Sequence, residues 1–111
     1  EILMAQLTIT EKSGANYVLY ELSGAISAYT LGELEQKLYD AIARDNVVLD
    51  LSKVSEIDYS GMGTIMAAFN DGEANGHALY LLSPSAESRE AVEATGFSQV
   101  LRIINSVTEV L

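Results

Sequence analysis

In the stretch "VVLDLSKVSEIDYSGMGT", residues 47 to 64, one hydroxyl stands at a junction where the pattern of apolar residues changes period. Ser60 follows Asp58 and Tyr59 and precedes Gly61, Met62 and Gly63. The apolar run before it reads as a strand, and Met62, Ile65, Met66 and Phe69 after it keep helical spacing. A serine at such a turn can do one of three things. The first helical N–H groups have no partner inside a helix, and the helix dipole adds partial positive charge there. A phosphoryl group on Ser60, carrying about −1.5 to −2 charge, would sit in that field, with Gly61 and Gly63 offering no side chain to crowd it. Alternatively the hydroxyl serves only as a helix N-cap, a position that favours Ser. The third chemistry is that of a hydrolase nucleophile elbow. It requires Gly two residues before the serine, where this chain has Asp58, and a histidine base, for which His77 is the sole candidate. The hydrolase reading is therefore disfavoured, and cap and switch both stay open.

Composition removes other chemistries. The chain has 111 residues, no cysteine and one histidine. Disulfides, thiolate metal sites, cysteine nucleophiles and imidazole clusters are excluded. Six basic residues face sixteen acidic ones, for a formal charge of −10. Such a chain repels phosphate backbones and anionic lipid, so neither nucleic acid nor membrane is an expected partner. A protein partner with basic patches suits it better. No apolar run approaches the roughly 20 residues of a membrane span. "EILMAQ" lacks the basic start and long apolar stretch of a signal peptide, so a soluble cytoplasmic protein is expected. A single domain over residues 4–111 is expected, with Met4 as the natural start and residues 1–3 as a possible addition.

Strands and helices must position the serine, and their pattern is legible. "AQLTITEKSGANYVLYELSG" reads as a β-hairpin, with "KSGAN" as its turn. "TLGELEQKLYDAIARD" changes to helical period, with Leu31, Leu34, Leu38, Ala41 and Ile42 on one face and Thr30 with Glu33 as a capping box. "NVVLDL" reads as a strand covered on both faces, followed by a loop, "SKVSEID". The helix from Ser60 stops at Asn75–Gly76. "HALYLL" is the next strand, and a helix opens near Pro84 or Ser85 and closes at Gly96. "FSQVLRII" reads as a last short strand and "NSVTEVL" as the start of a final helix, with Ser106 and Glu109 as a second capping box. The order β-β-α-β-α-β-α-β-α predicts a single α/β domain. Its sheet is mixed and mostly parallel, of four to five strands, with amphipathic helices mainly on one face and an N-terminal hairpin. Within that frame Met62 and Met66 read as core residues or as lining for a partner groove. Glu87, Glu90 and Glu93 read as a solvated helix face, and Asp71 and Glu73 as solvent-facing. Tyr59 reads equally as an exposed contact residue or a packed strand-end side chain.

The segment "VVLDLSKVSEIDYSGMGTI", together with "NGHALYLLSPSAESREAVEATGFSQVLRI", resembles the STAS-domain family of anti-sigma factor antagonists. The resemblance runs roughly from Leu7 to Leu111. It rests on the strand, the loop, the Asp-x-Ser-Gly order, the "GF" after the third helix and the closing "INSVTEVL". It implies a STAS-like fold and a small cytoplasmic switch of bacterial partner-switching pathways. In that scheme the unphosphorylated antagonist binds an anti-sigma factor that is also a serine kinase, and a sigma factor is released. The kinase, with ATP and Mg²⁺, phosphorylates the serine before the Gly, here Ser60, and the complex dissociates. A PP2C-type phosphatase resets the switch. The ATP site belongs to the kinase, so this chain is expected to hold no cofactor and to be no enzyme. The resemblance further implies a partner-binding surface of Asp58, Tyr59, Gly61 and Met62, with Ser27 in the neighbouring loop, on a monomer or weak dimer. One departure stands out. Many members carry Gly, an acidic residue, an aliphatic one and Asp after the second strand; this chain has Gly24, Ala25, Ile26 and Ser27. That change points to the alternative, a non-switching scaffold of the stressosome or transporter-associated kind.

Overall fold

The computed structural model describes residues 6–111, so the expected start at Met4 lies outside the described residues. In chain order the elements are β1 (Leu7–Ser13), β2 (Tyr17–Ile26), α1 (Leu31–Ile42), β3 (Asn46–Ile57), α2 (Tyr59–Asn75), β4 (Leu79–Leu82), α3 (Ala86–Ala94) and β5 (Arg102–Ile104), then a 3-10 turn at Val107–Glu109. The strands form one five-stranded sheet in the order β1-β2-β3-β4-β5. β1 and β2 pair antiparallel as a hairpin, and every later pair is parallel. Each parallel connection carries a helix or helical segment, as a parallel crossover requires.

The three helices bury their apolar stripes against one face of the sheet. Leu34, Leu38, Ala41 and Ile42 of α1, with Met62, Ile65, Ala68 and Phe69 of α2 and Val92 of α3, join Leu22, Ile26, Val47, Leu49, Leu51, Leu79 and Leu81 in a single cluster. Alternate residues of the same strands point the other way. There Leu19, Val48, Tyr80 and Ile104 form a smaller cluster, with Val110 of the C-terminal segment packed on it. Burial on both faces explains the unbroken apolar run "VVLDL" at the centre of the sheet. Tyr20, deep in the larger cluster, has its phenol pushed above the ordinary tyrosine range by desolvation, with Glu11 adding to the effect.

Four local readings of the sequence need correction. "SKVSEID" is strand, not loop, as far as Ile57: β2 runs alongside to Ile26, and Val54 and Ile57 are both buried, three residues apart because the pairing shifts register between them. Residues 97–101 are turn, so β5 is only three residues long. The closing segment makes a single 3-10 turn, although the Ser106–Glu109 capping box is present as expected. Thr30 does not cap α1 through its side chain. Its hydroxyl donates to the Ala25 carbonyl at 2.7 Å and accepts the Ser27 N–H at 2.9 Å, tightening the loop instead. The stop at Gly76 is left-handed, as expected, with φ 78°. No helix among the described residues is long and apolar enough to cross a membrane.

Candidate functional site

The site is built by two strands that end together. β3 continues beyond the end of β4, whose pairing stops at Asp50–Leu82, and is accompanied to its end by β2 alone, in the register Ile26–Ile57. The β2–α1 loop and the β3–α2 junction therefore emerge side by side, and the Asp58 N–H donates to the Ile26 carbonyl at 3.1 Å.

Asp58 is the hub. It is the N-cap of α2, in extended conformation, and one carboxylate oxygen accepts the Gly61 N–H at 2.8 Å. The other oxygen accepts the Ala28 N–H at 3.0 Å, from the loop thirty residues earlier. One carboxylate thus caps the helix and holds the two loops together, through bonds strengthened by its charge. The first bond within the helix runs from the Met62 N–H to the Asp58 carbonyl at 2.9 Å. The N–H groups of Tyr59 and Ser60 lie ahead of it, at the positive end of the dipole.

Ser60 is not the cap. It sits in the first turn of α2 with its side chain exposed, and among the described residues none hydrogen-bonds its hydroxyl. The cap alternative left open by the sequence is thereby settled in favour of Asp58. Tyr59, beside it, is 98% exposed, so its packed alternative falls. The two glycines differ. A side chain on Gly63 would meet open space, whereas a Cβ on Gly61 would lie 2.8 Å from the Ile26 carbonyl oxygen and 2.9 Å from an Ile57 methyl. Gly61 is therefore required by close packing of α2 on the strand ends, and not by access to Ser60.

Ser27 is placed in the adjoining loop, but its side chain is only 5% exposed. Its hydroxyl accepts the Tyr29 N–H at 3.2 Å and lies 3.5 Å from the Thr30 hydroxyl. Ser27 shapes the loop from within, and the residue the loop displays is Tyr29, 83% exposed. Reading the sequence missed Tyr29; an aromatic residue between Ala28 and Thr30, outside both apolar periodicities, was the available signal. His77 stands past the far end of α2, roughly 25 Å from Ser60 at about 1.5 Å per helical residue. Its Nδ1 lies 2.7 Å from the Ile42 carbonyl. No base reaches Ser60 from there, and the hydrolase reading ends.

Next to the turn, α2 and α3 leave an open groove of about 450 Å³. Ile57 and Met62 line it together with Asp58 and Tyr59; Ala91, Ala94 and Thr95 form the α3 wall. Met62 is 6% exposed, so it belongs to the core and to the groove floor at once. The α3 wall was not legible as such, because that helix reads first as an acidic face.

Comparison with known proteins places this geometry. The STAS domain family matches residues 6–110. An anti-sigma-B factor antagonist of Listeria monocytogenes is 30% identical over 86 residues, 76% of this chain and 75% of the relative. Among solved structures, an anti-sigma factor antagonist from Mycobacterium paratuberculosis superposes with a TM-score of 0.80 at 19% identity, covering 93% of this chain and 89% of that one. The Bacillus cell fate determinant SpoIIAA in its phosphorylated form gives 0.72 at 19% identity, covering 92% and 94%. At such identities the structural likeness speaks for the fold alone. The match to nearly all described residues, in a sheet-and-helix order that was expected of that family, makes this chain a member of the STAS-domain family.

Proposed function

We propose that this protein is an anti-sigma factor antagonist, a regulatory binding module that acts by association and not by catalysis. Its unphosphorylated form binds an anti-sigma factor that is also a serine kinase, which releases a sigma factor. Phosphorylation at Ser60 ends the association, and a PP2C-type phosphatase restores it. The contact surface is the turn of Asp58, Tyr59, Gly61 and Met62 with the loop shaped by Ser27, and the protein works in the cytoplasm. The observation that carries this reading is the exposed Ser60 hydroxyl, which the fold does not use because Asp58 has taken the cap. The Listeria relative's name supports the partner class.

The mechanism is electrostatic. A neutral hydroxyl can be covered by a partner at little cost, but a phosphoryl group of about −1.5 to −2 charge must be desolvated or paired. It would also stand near the Asp58 carboxylate, which repels it. A loss of about 2.7 kcal/mol weakens binding roughly a hundredfold.

A specific observation favours a second reading. Ala25 and Ser27, where many family members carry acidic residues, are both buried here. Ala25 lies within β2 and not after it, and the loop that begins at Ser27 then meets a partner through Tyr29 and the backbone, as a non-switching scaffold of the stressosome or transporter-associated kind would. One experiment separates the two. The protein is incubated with its cognate kinase and ATP–Mg²⁺, and its intact mass is measured. The switch gives one added phosphate, absent in Ser60→Ala, and Ser60→Asp binds the kinase about a hundredfold more weakly. An unmodified mass, with Ser60→Asp binding as the wild type does, leaves the scaffold.

A further inference from the structure

We propose that the hydrogen bond between Glu35 of α1 and Thr64 of α2 is the contact that phosphorylation of Ser60 breaks, so that the added charge is registered by α1 as well as by the turn that carries it. The inference rests on the switch reading of Ser60 and names a structural consequence of it. α1 joins β2 to its parallel neighbour β3, and α2 joins β3 to β4. Both helices therefore run back down the sheet from the same edge, packed side by side. Glu35 stands one turn into α1 and Thr64 one turn into α2. The Thr64 hydroxyl donates to a Glu35 carboxylate oxygen at 3.0 Å.

This bond is unusual on both sides. Thr64 is buried, with 5% of its surface exposed. A threonine hydroxyl inside a helix ordinarily bonds back to the carbonyl four residues earlier, here that of Ser60. This one reaches across to α1 instead. Glu35 is half-buried, and among the described residues its charge has no cation within ion-pair distance. Glu33 of the same helix, by contrast, pairs with Lys37 at 4.0 Å. Among the described residues the Thr64 hydroxyl is the one hydrogen-bond donor that holds the Glu35 carboxylate on the seam between the helices.

Ser60 lies one turn above this bond on the same helix. Residues four apart share a face, with Cβ atoms about 5–6 Å apart, and side chains lean toward the helix N-terminus, which brings the Thr64 hydroxyl toward Ser60. A phosphoryl group there adds three acceptor oxygens and a charge of about −1.5 to −2. The Thr64 proton then has two competing acceptors, and those acceptors repel each other. Two carboxylates flank the new charge, and they are held differently. Asp58 accepts two backbone N–H groups and stays in place. Glu35 is held by one side-chain bond and gives way. Thr64 turns to the phosphoryl group, Glu35 swings out to solvent, and the first two turns of α1 lose their tie to α2. α1 opens directly after the loop that displays Tyr29, so the loosened end adjoins that loop.

The test uses the full ¹⁵N-labelled chain with Ser60 incorporated as phosphoserine during translation, so that no kinase is needed. Amide hydrogen exchange over Leu31–Tyr39 is expected to quicken about tenfold relative to the unmodified chain, the measure of one lost charge-assisted bond. Glu35→Gln keeps an acceptor for Thr64 and carries no charge. Unmodified, it should exchange as the wild type does; phosphorylated, it should quicken by less than about twofold. Thr64→Val keeps the shape and removes the donor. Its unmodified chain should already exchange at the quickened rate, and phosphate should add nothing further. Thermal midpoints check that both variants are folded, and if Thr64→Val is not, the Glu35→Gln comparison decides alone. Exchange in α1 unchanged by phosphate in the wild type, equal quickening in Glu35→Gln, or full protection in folded, unmodified Thr64→Val would each overturn the proposal. If the cognate kinase modifies Ser60 while the installed phosphate leaves α1 as it was, only this inference falls; if the kinase leaves Ser60 bare while the installed phosphate frees α1, only the switch does.

Discussion

Two helices of this domain begin just after a strand or a short connection, and each beginning carries a serine. At α3 the serine is consumed. Ser85 is the N-cap; its hydroxyl accepts the Ser88 N–H at 3.1 Å, donates to the Val54 carbonyl at 2.6 Å and meets the Ser88 hydroxyl at 2.8 Å. At α2 an aspartate does that work and the serine two residues on is left exposed. The same residue type is therefore structural at one junction and available at the other. Helix position alone does not decide which. The decision lies in who holds the cap: the Asp58 carboxylate accepts two backbone N–H groups from two segments, whereas the Ser85 hydroxyl accepts one and donates its proton to a carbonyl.

The largest effect should come from removing that arbiter. Asp58→Ala takes away the cap bond to Gly61 and the bond to Ala28 together. Loss of a cap costs about 0.5–2 kcal/mol, and a bond to a charged acceptor about 1.5–3. The two ranges together span about 2–5 kcal/mol, and exposure of the pair places the expected loss at the low end, about 2–3 kcal/mol, in urea melts. Asp58→Asn keeps an acceptor for the helix and should lose less. A melt of Asp58→Ala matching the wild type would show that Ser60 or water can take over the cap, and the contrast between the junctions would vanish.

Next in size is the pair Gly61→Ala and Gly63→Ala. A methyl at Gly61 runs into the Ile26 carbonyl oxygen and side chain and into Ile57, where backbone cannot yield cheaply. Overpacking of this kind costs about 1–3 kcal/mol. At Gly63 the methyl meets nothing, and Ala in a helix is favoured over Gly by about 0.5–1 kcal/mol. Opposite shifts of the urea midpoint are expected. Equal shifts would mean that α2 is not seated on the strand ends as tightly as the distances say.

These residues also show how far the sequence could be read. Element order as far as β5, the hairpin, the mostly parallel sheet and the Gly76 stop follow from periodicity and turn chemistry, which are local. β3 beyond Asp50 was hidden because its support is non-local. Polar Ser52, Lys53, Ser55 and Glu56 face outward there while Val54 and Ile57 bury themselves and β2 supplies the pairing. The same limit governs the site. The pattern Asp-x-Ser-Gly marked the turn, but two side chains with capping chemistry stood within three residues, and nothing local ranked them. What ranks them is the Ala28 N–H, thirty positions away, which only Asp58 reaches. Likewise Ser27 was legible as a loop residue, and its inward direction was not, since that depends on Thr30 giving up its own cap to bond Ala25.

The sharpest form of the comparison is the smallest effect. Ser85→Ala removes a cap and takes the Ser85 donor from the Val54 carbonyl; about 1–2 kcal/mol should be lost. Ser60→Ala removes an exposed hydroxyl that nothing in the described chain engages, and Ala suits the first turn of a helix at least as well as Ser. Its melt should coincide with the wild type within about 0.5 kcal/mol, the usual span for surface substitutions. The measurement is a paired urea titration, with the same slope expected for both variants, since neither alters the surface exposed on unfolding. Should Ser60→Ala cost as much as Ser85→Ala, the hydroxyl at Ser60 is holding the fold after all. A group the fold depends on is poorly placed to be modified and restored, so that result would weaken the switch at its structural root, whatever a kinase does in vitro.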